Sequence, residues 1–170
     1  TALARATVEN AGTRLEVDDL NFLLSYDPHH RHFIERTFAG IFFTPEDLRF
    51  LDQVWWNIAQ LSDRYKQALA IGALVRSCAK RQPRGVFTVA GDPDRYKDGR
   101  RDLRLSLRDH FIEHAAAYNA AVFANGRCNR VTRSDVFELG TPKVDLVYLD
   151  PPYVPRADDR GDRALEHGGQ

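Results

Sequence analysis

Methionine is missing from this chain, and cysteine nearly so. None of the 170 residues is Met, position 1 included, and the 2 cysteines are Cys78 and Cys128. They lie in unrelated contexts without the C-x-x-C spacing of a zinc or redox pair. Neither a disulfide framework nor a thiolate metal centre is expected, and free thiols in a reducing cytoplasm are the default. No apolar run approaches the roughly 20 residues that span a bilayer, and the N-terminus has no signal-peptide core. A surplus of one charge is absent too: 24 Lys and Arg balance 24 Asp and Glu. Total charge therefore draws no polyanion to this protein, and any such affinity has to come from charge placed unevenly. The missing methionine, in a chain that opens inside a helical pattern (Thr1 to Asn10, closed by Gly12), predicts a piece of a longer polypeptide.

What is present suffices for the core of one domain, since 43% of the residues are hydrophobic. Thr44-Pro45-Glu46-Asp47 is a helix start with Thr as N-cap, Pro at the first position and acids in the first turn. Leu48, Leu51, Val54, Trp55 and Ile58 then recur at helical spacing, and of the adjoining Trp55 and Trp56 only one can face the core fully. A second helix is predicted from about Ser62 to Lys80, ended by Pro83. Val86–Val89 and Leu103–Leu107 read as strands joined by the loop from Gly91 to Arg101. A long helix over Asp109–Ala124 stops at Asn125-Gly126. A short strand around Asn129–Val131 and another over Val144–Leu149, rich in β-branched and aromatic residues, complete the pattern. Residues 159–170 are polar and aperiodic, and are expected to be disordered.

Charge is uneven in one place. Between Arg76 and Arg108 stand ten Lys or Arg, among them Arg84, Arg95, Lys97, Arg100, Arg101 and Arg104, against four Asp, with Tyr96 interleaved. A hairpin with these cations suits the phosphates of a nucleic acid; the alternative is a solvated basic surface with local Asp partners. His110-Phe111-Ile112-Glu113-His114 matches H-x-x-E-H, in which two histidines one turn apart grip zinc beside a glutamate base. The pattern is short, and surface or capping histidines are the preferred account. Of His29, His30 and His32, the first two do not share one face of a helix or strand and no cysteine or carboxylate stands at a matching offset, so they read as a solvated loop and no metal is expected.

Asp150-Pro151-Pro152-Tyr153 follows the Val144–Leu149 run directly. Two prolines cannot continue a central strand, so the turn would lie just beyond a strand's carboxyl end, where open α/β sheets place their ligands. Asp135, just after the 129–131 segment, is suited to accept from a ligand's amino group, with the Val136 or Phe137 N–H meeting a ring nitrogen. It is equally suited to cap the 136–139 turn, and the two roles are compatible.

The D-P-P-Y turn resembles that of S-adenosylmethionine-dependent amino-methyltransferases, above all the Dam-like, alpha-group N6-adenine DNA methyltransferases. The likeness extends through Phe38-Ala39-Gly40 to Phe43-Thr44, Gln82-Pro83-Arg84-Gly85-Val86-Phe87, Asp98–Leu103, Ala117-Tyr118-Asn119, Ser134–Phe137 and Asp145–Tyr153. It implies an α/β fold: part of a Rossmann-like sheet with an inserted helical and hairpin recognition region. The expected division is residues 1–36 as a remnant of the catalytic domain, 37–108 as the recognition region, 109–158 as the catalytic part and 159–170 as the tail. It implies Asp150, Pro151, Pro152 and Tyr153 as catalytic, and Asp135, Val136 and Phe137 as contacts to S-adenosylmethionine. It further implies Arg84, Arg95, Tyr96, Lys97, Arg100, Arg101 and Arg104 on double-stranded DNA, in a restriction–modification system with a cognate restriction endonuclease, or in a phage or mobile element.

The chemistry is consistent with those residue types. An exocyclic adenine amine is a poor nucleophile, because its lone pair is delocalised into the ring. The Asp150 carboxylate and Pro151 carbonyl would accept its two hydrogens and free the lone pair, while Tyr153 stacks on a flipped base. The family's Gly-rich cofactor loop has no counterpart here, so the chain alone is expected to bind cofactor weakly and turn over poorly. The competing expectations are a DNA-binding module without catalysis, a methyltransferase acting on an RNA base or glutamine, and, remotely, a zinc peptidase.

Overall fold

The structure, a computed structural model, describes residues 2–82, 99, 101–140 and 143–150. It divides into two compact units, Thr1–Arg133 and Ser134–Gln170.

The first unit is built on three helices whose starts are written into the sequence. Helix α4 (Pro45–Gln60) begins with a reciprocal cap: the Asp47 N–H donates to Thr44 Oγ1 at 3.2 Å and the Thr44 N–H to Asp47 Oδ2 at 3.4 Å. Helix α5 (Arg64–Lys80) starts at Asp63, whose carboxylate accepts from the Tyr65 and Lys66 N–H groups. Helix α7 (Leu107–Ala121) repeats the reciprocal cap between Ser106 and Asp109. Such caps satisfy N–H groups that a helix start leaves without partners, each worth about 1 kcal/mol.

These helices pack along one another, α5 most extensively on α7, and bury Leu48, Leu51, Val54, Ile58, Leu69, Leu74, Leu107 and Phe111. Around them lie α1 (Ala2–Ala4), running into a π-helical stretch Arg5–Glu9 against α5, and α2 (Val17–Leu24) and α3 (Phe33–Thr37), both against α4. A last short helix, α6 (Arg101–Arg104), precedes α7. Buried Asn57 on α4 closes α2: its amide donates to the carbonyls of Phe22, Leu23 and Ser25 at 3.0, 3.1 and 3.0 Å. Among the described residues no helix is long and apolar enough to cross a membrane.

The expected α/β sheet is overturned. Among the described residues every regular element is helical and none is a strand. Leu103–Leu107 was predicted as a strand from its alternation. Instead Leu103 lies in α6, the Leu105 N–H donates to the Arg101 carbonyl at 3.1 Å, and Leu107 opens α7. The physical reason is the Ser106–Asp109 cap, which fixes a helix start in the middle of the alternating run. Residues 129–131 are irregular, the Val131 N–H donating to Glu9 Oε1 at 2.7 Å. The predicted strand at Val86–Val89 and the tail at 159–170 lie outside the described residues.

The second unit contains a 3₁₀ turn, Val136–Glu138, and irregular chain over 143–150. Val144–Leu149 was read as a buried strand, yet Leu146 is 83% exposed and Tyr148 84%. A strand exists only where a neighbour takes its N–H and C=O groups. No described segment is a strand beside it.

Candidate functional site

Two parts of the basic stretch are tied together. Lys80 pairs with Asp102 at 2.9 Å, and Arg81 donates from Nη1 to the Leu103 carbonyl at 2.5 Å. Arg81 Nε meets Asp47 Oδ2 at 3.0 Å, and the Gln82 amide donates to the Phe42 carbonyl at 3.1 Å. Phe42 itself holds a left-handed backbone (φ 63°), rare for a bulky residue. Asp47 is buried, and its Oδ1 also accepts from the Leu107 N–H at 3.4 Å. One carboxylate on α4 therefore ties the end of α5 to the start of α7. The Lys80 hydrogen bond holds Asp102 below the ordinary carboxylate range.

Of the cations assigned to DNA, Arg84, Arg95, Lys97 and Arg100, with Tyr96, lie outside the described residues. Arg101 is engaged by both oxygens of Glu113, which raises the guanidinium and lowers the carboxyl. Arg104 is exposed on α6 and, among the described residues, has no acid partner.

Asp135 caps the 3₁₀ turn, its Oδ1 accepting from the Phe137 N–H at 2.9 Å. The Phe137 N–H is thus spent on the cap. Phe137 exposes 94% of its surface. Asp150 is exposed at the end of the described chain, and Pro151, Pro152 and Tyr153 lie outside it.

The histidine patterns resolve into packing. His110 is buried with Nε2 at 2.7 Å from the Asp102 carbonyl, and His114 sets Nδ1 at 2.9 Å from Ser77 Oγ. The rings stack with centroids 6.0 Å apart, while Glu113 is held by Arg101. The H-x-x-E-H residues thus bind their own scaffold. Burial, then the neighbouring His110, lowers the pKa of His114. The 29–32 loop is not wholly solvated, since His30 is buried with Nδ1 at 2.5 Å from the Asp27 carbonyl. His32, Glu35 and Asp52 converge closely enough to hold an ion. However, Asp52 already accepts the Ile34 and Glu35 N–H groups at 2.8 and 2.9 Å, and Glu35 pairs with Arg49 at 3.4 Å.

Sequence reasoning missed a depression on α3 and α4 of about 640 Å³, lined by Arg31, Phe33, Ile34, Asp52, Trp55, Trp56 and Ala59. Trp55 is 53% exposed, whereas Trp56 is half-buried and donates from Nε1 to Asp27 Oδ2 at 2.8 Å. The adjoining tryptophans were the available signal, and they read as core.

Comparison with known proteins relates the chain to a type II methyltransferase. The relative is the type II methyltransferase M2.HphI of Haemophilus parahaemolyticus, 36% identical over 164 residues that cover 89% of this chain. The chain spans about half of that protein's length, 48%. No protein-family model and no solved structure matches it.

Proposed function

We propose that this chain supplies the catalytic turn and the target-recognition region of a site-specific DNA methyltransferase acting on adenine N6. The observation that carries the reading is the 36% identity to a type II methyltransferase, in a chain that holds the sequence Asp150-Pro151-Pro152-Tyr153. S-adenosylmethionine, when bound, supplies the methyl group. Asp150 and the Pro151 carbonyl accept the two N6 hydrogens, and Tyr153 stacks on the flipped base. Asp135 suits a cofactor role in this reading, because its Oδ1 is used on Phe137 and its Oδ2 has no partner among the described residues. Arg84, Arg95, Lys97, Arg100, Arg101 and Arg104, with Tyr96, meet the duplex in this reading, and Arg101 does so at the expense of its pair with Glu113. A restriction endonuclease reading the same site is its cognate.

The test is tritiated methyl transfer from S-adenosylmethionine to unmethylated DNA by the protein and its Asp150→Ala variant. Label should be recovered as N6-methyladenine and fall by about a hundredfold or more in the variant, the usual cost of one preorganised polar partner. Equal labelling by the variant, or label on another base, overturns the assignment. A second reading, a DNA-binding module without catalysis, is favoured by the helical character of all the described regular structure. Salt-sensitive duplex binding with no transfer from either protein would select it.

A further inference from the structure

We propose that the α3–α4 face binds an unpaired nucleotide of the DNA, with the base against Phe33 and Trp55 and the adjoining phosphate on Arg31 and Arg36. The inference rests on the DNA partner argued above, but it uses none of the residues assigned there to catalysis, cofactor or duplex.

Two depressions meet there. The one lined by Trp55, Trp56, Ile34 and Ala59 is mostly apolar, with Asp52 also in its wall. Its neighbour, of about 600 Å³, is lined by His30, His32, Arg36 and Thr37. Arg31 and Phe33 line both. An aromatic chamber opening onto a cationic one matches a nucleotide, whose base is flat and apolar on its faces and whose phosphate is anionic.

Exposure supports this. Phe33 is 67% exposed and Trp55 53%, so among the described residues no element covers these two large aromatic side chains. The named charges balance, Arg31, Arg36 and Arg49 against Asp27, Glu35 and Asp52, so what could hold an anion is the pair of arginines without an acid partner rather than a net charge. The acids nearby are spent: Asp52 on the Ile34 and Glu35 N–H groups, Glu35 on Arg49 and His32, Asp27 on Trp56. Arg31 and Arg36 are exposed and, among the described residues, have no acid partner. An apolar helix of a protein partner would leave these two guanidiniums facing it unpaired.

The chain's 2 tryptophans both line the chamber, so tryptophan emission, excited selectively over the tyrosines, reports on this chamber. The experiment titrates the protein with single-stranded oligodeoxyadenylate, and separately with heparin as a polyanion without bases. Tryptophan emission is followed beside the anisotropy of end-labelled oligonucleotide. The oligonucleotide should quench emission to saturation, and heparin should not. Trp55→Ala should weaken single-strand binding between about fivefold and a hundredfold, the range for one lost stacking contact. Its helical circular dichroism and Trp56 emission confirm folding. Arg31→Ala and Arg36→Ala should each flatten the slope of log affinity against log salt by about 0.7. Binding without quenching, equal quenching by heparin, or unchanged affinity in Trp55→Ala overturns the proposal, while methyl transfer in the same preparation leaves the methyltransferase reading standing. Quenching intact with transfer absent has the opposite meaning.

Discussion

Replacing Asp47 by alanine removes one carboxylate from the junction of three helices. Its side chain is 5% exposed, and its partner Arg81 is 19% exposed. Breaking a buried ion pair on one side costs roughly 3–5 kcal/mol, because the remaining charge stays desolvated. Arg81 is not sealed, and it keeps the Leu103 carbonyl at 2.5 Å, so the lower end of that range applies. The Thr44 and Leu107 N–H groups lose their acceptor as well, although at 3.4 Å both bonds are long. The expected loss is about 3 kcal/mol, a large share of the roughly 5–15 kcal/mol that stabilises a domain. Urea unfolding followed by circular dichroism measures it. A cycle with Arg81→Ala and the double variant should show coupling of at least about 1 kcal/mol. A loss below about 1 kcal/mol, or additive single variants, would refute the claim that this carboxylate joins α4, α5 and α7.

Two further outcomes follow from titrating groups. Burial, then His110 and Arg76, lowers the pKa of His114 from 6.5. The unfolded chain therefore takes up its proton first as pH falls, and the contribution of neutral His114, intact above the unfolded value, is lost on going down toward the folded one. Urea stability at pH 7.5 and 5.5 should differ less in His114→Gln than in the parent, and an identical difference would refute it. Burial, reinforced by Asp47, pushes the Cys78 thiol up to about 12, whereas Cys128 is exposed. Iodoacetamide at pH 8 should label Cys128 first and Cys78 only in denaturant, as mass spectrometry of digests would show.

The α4 start was legible because a cap is local chemistry: Thr44 and Asp47 lie three residues apart and act within one turn. The same chemistry at Ser106 and Asp109 starts α7 two residues before the expected position. The strands failed for two different reasons. In Leu103–Leu107 the period-2 pattern was outweighed by Ser106, a cap buried inside the pattern. In Val144–Leu149 the propensity is real, but a strand is a relation between segments and cannot be read from one of them. The Asp52 cap of α3 and the Asn57 closure of α2 were invisible for the same reason, because their partners are 17–18 and 32–35 residues away. Asp135 was readable as far as its capping role, which the turn displays. The Phe33–Trp55 chamber was not, since adjoining tryptophans look the same in a core as on a surface.

The bracket formed by Lys80, Arg81 and Gln82 with Asp102, Leu103 and Phe42 has a consequence for chain length. It fixes the two ends of the intervening residues through contacts that those residues do not make. The entropy of closing a loop grows only slowly, by about 0.6 kcal/mol for each doubling of length. A change of length between the clamps should therefore cost the helical body little, and the contacts of Lys80, Arg81 and Gln82 should persist.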